Sequence, residues 1–396
     1  MTTTSRPVAT LFDDPLRGRL VALRRDLHRH PELSGEERRT ADRLHEELAV
    51  LRPTSLDRVA ETGLVARMAG TDPGAPTVAI RGDIDALPIE EETGLPYSSQ
   101  HQGVMHACGH DVHAAWTVGA AHLLAARPAR GDVLIVLQPA EEIARGALAV
   151  LASDALDGVS AIFGGHVDRT VAVGEVIAQA GPVGAATDTF SVELVGGGGH
   201  GARPHETVDP VVALGALIGE LQTIVARRLA PGTPAVVTVG SVRAGSAPNV
   251  IPTHAALAGT LRSMDPRTRA FLHDEVRHLV EAVAGAHRLA SRVEIEAGTP
   301  PVVNSPPAAQ CAARAVEALL GADALAGFAT PNMGGEDFGF YLERLPGAFL
   351  RIGAREPGGE VIPAHSPRFH AAEESLFVGA AVLAETARIA CEDAAR

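Results

Sequence analysis

Nine residues, Met105-His106-Ala107-Cys108-Gly109-His110-Asp111-Val112-His113, hold three imidazoles, a thiol and a carboxylate. Thiolate sulfur and imidazole nitrogen are the donors that Zn²⁺ and its transition-metal neighbours prefer. Taken alone, the segment serves equally as a buried cysteine beside surface histidines. Its spacing is not that of a zinc finger, and no second cysteine pair closes one. Glu141-Glu142 adds two adjacent carboxylates after an apolar run, although such a pair also suits a solvated helix start. His166 follows Gly164-Gly165, and His365 lies in Ala364-His365-Ser366-Pro367; each by itself is a plain loop histidine. Together with Cys108 and His110, these residues supply the ligand types of a two-metal hydrolytic centre.

The elements that must position them follow from the patterning. Residues 19–29 carry Leu20, Leu23 and Leu27 on one helical stripe, and Ser34-Gly35-Glu36-Glu37 opens a second helix towards residue 50. A short apolar strand over 77–82 runs into Asp83-Ile84-Asp85, and a helix spans 111–126. The strand 132–138 leads to Glu141-Glu142 and a helix to about residue 152, and the strand 161–163 ends on Gly164-Gly165-His166. Strands alternating with helices predict an α/β fold with a mainly parallel sheet covered on both faces. Ligands in such sheets bind outside the carboxyl ends of the strands. Three successive strands deliver acids or a histidine there, which is the physical ground for a single site.

Near residue 183 the texture changes. Runs at 189–195, 235–243 and 255–263 alternate like half-exposed strands, separated by helical stretches at 210–227 and 266–284. This predicts a smaller α+β domain over 183–297, inserted in a discontinuous catalytic domain of 1–182 and 298–396. After Pro300-Pro301 the first texture returns, with a helix over 306–320, a strand over 348–352 and a last helix from 373. The run Gly196-Gly197-Gly198-Gly199 lacks the lysine of a phosphate loop and reads as a flexible turn before His200.

Bulk properties exclude several functions. With 396 residues the chain can bury a large core. Its 34 basic against 48 acidic residues give a formal charge of −14, which argues against nucleic-acid or anionic-membrane binding. Every basic residue is arginine, so Schiff-base chemistry, a pyridoxal-phosphate anchor and a P-loop lysine are all excluded. Three cysteines are too few and too odd for a disulfide framework. No secretory leader is read at the amino end, and no apolar run approaches the ~18 residues of a membrane span. A soluble, cytoplasmic protein is expected.

At the level of motifs the sequence resembles the dinuclear metallohydrolases that include aminoacylases, hippurate hydrolases and auxin–amino-acid conjugate hydrolases. These are relatives of carboxypeptidases and dipeptidases. The resemblance rests on residues 27–34 (Leu-His-Arg-His-Pro-Glu-Leu-Ser), Asp83-Ile84-Asp85-Ala86-Leu87-Pro88, the segment 105–113 and Gln138-Pro139-Ala140-Glu141-Glu142. Gly199-His200-Gly201-Ala202-Arg203-Pro204-His205, Ala247-Pro248-Asn249-Val250, Glu336-Asp337-Phe338 and His365-Ser366-Pro367 complete it.

The resemblance implies two divalent ions per subunit (Zn, Mn, Co or Ni), with Cys108 shared between them. Glu142 and His365 would complete one site, His110 and His166 the other. Asp83 stands where the wider superfamily has a ligating histidine, so it is not expected to be a ligand, and the metal's identity does not carry over. Asp85 matches a carboxylate that orients a ligand. Glu141 matches the general base. His200 matches a residue of the inserted lid that stabilises the oxyanion, often in the neighbouring subunit, which implies a homodimer; His205 would be a structural companion. Asn249 and Arg262 would together hold the carboxylate of the leaving amino acid. Glu336 and Asp337 would line the site, without an assigned role. The expected activity is hydrolysis of N-acyl-L-amino acids to a carboxylate and a free amino acid. The alternatives are a dipeptidase, an N-acyl-diaminopimelate deacylase, or a metal-dependent binding protein without catalysis.

Overall fold

Val133–Gln138 is buried at all of its positions, the signature of a parallel strand covered on both faces. In the computed structural model, which describes Val8 and residues 10–394, it is one of eight strands in a single sheet. Val133–Gln138, Thr77–Asp83, Val159–Ala172 and Gly347–Arg355 are parallel neighbours in that order. The flanks bring antiparallel pairs, among them Ser55–Val59 with Gly63–Met68. That hairpin is invisible in the sequence because its turn places Ala60 and Glu61 at positive φ (48° and 65°), where Asn-Gly is the usual signal.

Helix Asp14–Arg29 starts at Asp13, whose carboxylate accepts from Leu16 N at 2.9 Å, and it buries Leu20, Leu23 and Leu27. The second helix is shorter than expected, Arg38–Ala49, because Glu37 turns inward and Ser34 Oγ donates to Asp85 instead of capping. His110–Ala126 is buried on nearly every side, as a helix without an apolar stripe should be. Glu374–Ala394 packs on it so closely that a Cβ at Gly379 would come within 2.3 Å of the Trp116 ring.

The chain divides into two units. The larger comprises the chain up to Gly181, Val303–Ala329 and the chain from Asp337; the smaller comprises Pro182–Val302 and Thr330–Glu336. The dividing lines lie a few residues from 183 and 297. Gly298 N donates to Asp188 and Thr187 N to Thr299 O, while Ala185 N donates to Gly334 O, so both flanking stretches join the smaller unit.

The smaller unit is a four-stranded antiparallel sheet in the order Ala235–Ala244, His254–Ser263, Ala186–Val195, Ala290–Ala297. Phe190, Val192 and Leu194 point into its core, while Ser191 and Glu193 are exposed. The edge strand Ala290–Ala297 escapes sequence reading because it is largely exposed and carries Arg292, Glu294 and Glu296. One expectation needs correcting: Pro210–Arg228 is long and apolar enough to cross a membrane by length and composition. Here it lies on the sheet, with Ala213, Leu214, Leu217, Leu221 and Ile224 buried at helical spacing.

Candidate metal centre

Gly109 is the pivot. It begins the helix His110–Ala126 at φ 88°, and a Cβ there would come within 2.5 Å of Val167 Cγ2. Only glycine satisfies both conditions. Cys108 and His110 are thereby set on either side of a helix N-terminus.

Asp85, two residues past the strand Thr77–Asp83, accepts from His110 Nδ1 at 3.1 Å, from Ser34 Oγ at 2.7 Å and from Glu142 N at 3.0 Å. One carboxylate thus aligns two of the expected ligands, leaving His110 Nε2 buried without a hydrogen bond. His166 donates from Nδ1 to Val167 O at 2.7 Å, which frees Nε2, and this atom lies 3.2 Å from Cys108 Sγ. His166 sits inside a strand that continues to Ala172 rather than beyond its end, since Gly347–Arg355 pairs with it through Asp168.

His365 adopts φ 65° and donates its N–H to Ala107 O at 2.8 Å, which places its Nε2 3.4 Å from Glu142 Oε2. Such a backbone in a non-glycine residue is held by its surroundings. Glu142 Oε1 is buried without a hydrogen bond, 3.8 Å from His110 Nε2.

Two triads result: Cys108, His110 and His166 form one, and Cys108, Glu142 and His365 the other, with one donor atom of each residue within 4.8 Å of the rest. Glu141 joins His110 and Glu142 in a third such group. A sulfur, imidazole nitrogens and a carboxylate, with two orphaned buried atoms among them, fit divalent transition metals. Burial and the charge of Glu142 push the Cys108 thiol up to about 12, so a cation taken there displaces a proton. Burial, then the charges of His113 and Arg351, hold His166 well below its ordinary pKa and so neutral. Burial opposes ionisation of Asp83, but the charges of His110, Arg81 and His113 outweigh it and keep Asp83 anionic. Asp83 Oδ1 lies 2.6 Å from His113 Nδ1.

Glu141-Glu142 sits in a strained turn, with Ala140 at φ 53° and Ala144 at φ 54°. Three buried carboxylates grip it by its amides. Glu37 Oε1 accepts from Ala140 N at 2.9 Å, Asp85 from Glu142 N, and Asp337 Oδ2 from Ala147 N at 2.9 Å. Asp337 also accepts from Arg81 Nη2 at 2.7 Å, and its N–H reaches Glu141 Oε1 at 3.3 Å. Glu37 carried no functional signal in the sequence, and Asp337 had none beyond its motif. Glu37→Ala should lower kcat by roughly tenfold or more by releasing the turn, whereas Glu37→Gln, which still accepts from Ala140 N, should keep most activity. Equal rates in the two variants would remove this positioning role.

In the smaller unit, Gly199–His200 pairs with Val250–Ile251, and Asn249 O accepts from Gly201 N at 2.8 Å, so His200 and Asn249 are exposed neighbours. His200 Nδ1 accepts from Ala202 N at 3.0 Å, which leaves the ring proton on Nε2 as a donor. His205 is exposed beside Glu206. Arg262 lies elsewhere, and its Nη1 would be 3.5 Å from a Cβ at Gly335. It is eight residues along its strand from His254, roughly 26 Å, while His200 and Asn249 lie beyond the His254 end. Within one chain, therefore, Asn249 and Arg262 do not meet on one carboxylate, contrary to expectation.

The sequence profile of peptidase family M20/M25/M40 matches residues 79–389. The chain is 38% identical over 407 residues to an N-acetyl-L-cysteine deacetylase of Bacillus subtilis (strain 168), covering 98% of this chain and 93% of that one. It is 34% identical over 368 residues to thermostable carboxypeptidase 1 of Saccharolobus solfataricus, covering 91% and 92%. A Bacillus subtilis crystal structure, described as a dinuclear metal-binding peptidase of family M20, superposes with a TM-score of 0.85 at 36% identity, covering 96% and 99%. With matches of that extent, the chain belongs to peptidase family M20/M25/M40.

Proposed function

We propose that this protein is a metal-dependent amidohydrolase that cleaves N-acyl-L-amino acids to a carboxylate and a free amino acid. The observation that carries the reading is the pair of donor triads sharing Cys108, with Glu141 beside them. Two divalent ions held there would polarise the scissile carbonyl and acidify water. Its similarity to a deacetylase supports an N-acyl substrate over a peptide.

The chain's own groups divide the remaining work. Glu141 takes the proton of the attacking water and returns it to the leaving nitrogen, while the amide of Asp337 fixes its carboxylate. His200, with its proton on Nε2, donates to the oxyanion, a contribution typically worth ~10²–10³-fold. Arg262 takes the α-carboxylate of the amino acid in its planar fork.

A substrate of a few ångströms cannot touch both ends of the strand His254–Ser263 in one chain. We therefore assign His200 and Asn249 to the partner subunit's site, and Arg262 to its own. The three cysteines are free thiols, which suits a reducing cytoplasm.

The test is release of free amine from a panel of N-acyl amino acids and dipeptides by protein reconstituted with Zn²⁺, Mn²⁺, Co²⁺ or Ni²⁺, with and without chelator. Turnover of N-acyl amino acids that chelator abolishes is expected. Release from dipeptides alone would overturn the substrate class, and turnover indifferent to chelator would overturn the chemistry.

A further inference from the structure

Four arginines are buried among the described residues: Arg24, Arg81, Arg169 and Arg351. Three face acids. Arg24 Nε donates to Asp111 at 2.7 Å, Arg81 pairs with Asp83 and Asp337, and Arg169 Nη1 donates to Glu356 at 2.9 Å. Arg351 is 9% exposed and has no carboxylate within ion-pairing distance among the described residues, and its Nε is fully buried without a hydrogen bond.

The position of this unpaired cation is specific. Arg351 lies in the strand Gly347–Arg355, and its partner in the parallel ladder is His166. Paired residues on strands about 4.8 Å apart project to the same face of the sheet. The Arg351 guanidinium faces the Phe349 ring, 5.8 Å to the centroid. A ring face at that distance attracts a cation weakly and satisfies none of its five N–H donors. Buried charge without a counter-charge is costly, and an apolar side chain would fill the same space without that cost. Divalent cations on His166 would add repulsion. Only Nε is shut away without a hydrogen bond; the Nη ends of the fork reach solvent, where an incoming carboxylate can meet them.

We infer that Arg351 binds a substrate carboxylate beside the metal centre, so that the preferred substrates are N-acyl amino acids with a second acidic group, on the acyl part or on the amino-acid side chain. This rests on the proposed amide hydrolysis, in which Arg262 already takes the α-carboxylate.

The test compares the metal-loaded enzyme with R351M and R351K on N-succinyl-L-leucine, N-acetyl-L-glutamate and N-acetyl-L-leucine. One or other diacid is expected to exceed the monoacid by at least about tenfold in kcat/KM, chiefly through KM, and the diacid that does so locates the second group. R351M should collapse that ratio and R351K should retain part of it. R351Q replaces R351M if the latter does not fold. Calorimetry with glutarate gives an independent readout, with affinity expected to weaken about tenfold without the guanidinium. A ratio and a glutarate affinity both unchanged in R351M would overturn the inference. If no amide is cleaved but glutarate binding still depends on Arg351, the catalytic reading fails and the anion site stands.

Discussion

Glu141→Gln is expected to bind the same complement of divalent metal as the unaltered chain while its kcat falls by roughly 10²–10⁴-fold. The amide keeps an oxygen that accepts from Asp337 N, so the turn and the neighbouring Glu142 stay in place. What disappears is basicity at one atom. Elemental analysis reads the metal content, and single-turnover kinetics on an N-acetyl amino acid reads the step. Turnover within about threefold of the unaltered enzyme would remove Glu141 as the proton carrier. Loss of metal together with activity would instead make it a ligand.

The second large effect concerns two inactive variants mixed together. Glu141→Gln and His200→Ala should each be nearly dead, the latter by ~10²–10³-fold. If His200 serves the partner's site, a hybrid dimer joins an intact Glu141 on one subunit to an intact His200 on the other. Random reassociation at equal concentrations then restores about one quarter of the sites. The same mixture stays inactive if His200 acts within its own chain. The strand geometry favours recovery, because Arg262 and the His200–Asn249 pair stand at opposite ends of one ten-residue strand. Denaturation and refolding of mixed and unmixed samples, assayed side by side, decides between the two.

The parallel centre of the sheet was legible because strands such as Val133–Gln138 are unbroken apolar runs. The donor residues stood out because cysteine and histidine are conspicuous at the start of a helix and paired acids are conspicuous at a strand end. The groups that hold them were not. Glu37 reads as a solvated acid ahead of a helix, and only the fold turns it inward onto Ala140 N and Thr62. Arg351 is an ordinary strand arginine until its lack of an acid partner is seen. The separation of Asn249 from Arg262 also depends on register, which a list of motifs does not contain. Local chemistry was visible, whereas long-range pairing of buried charge was not, because no local pattern encodes it.

Asp337 braces the turn that carries Glu141 and shares Arg81 with Asp83, although it follows Arg81 by 256 residues. During synthesis the ribosome delivers Arg81, Glu141 and the whole smaller unit before that brace exists. A nascent chain halted ahead of residue 337 holds the turn of Glu141 by Glu37 and Asp85 alone and leaves Arg81 with one counter-ion fewer. Support for this turn thus arrives late in translation.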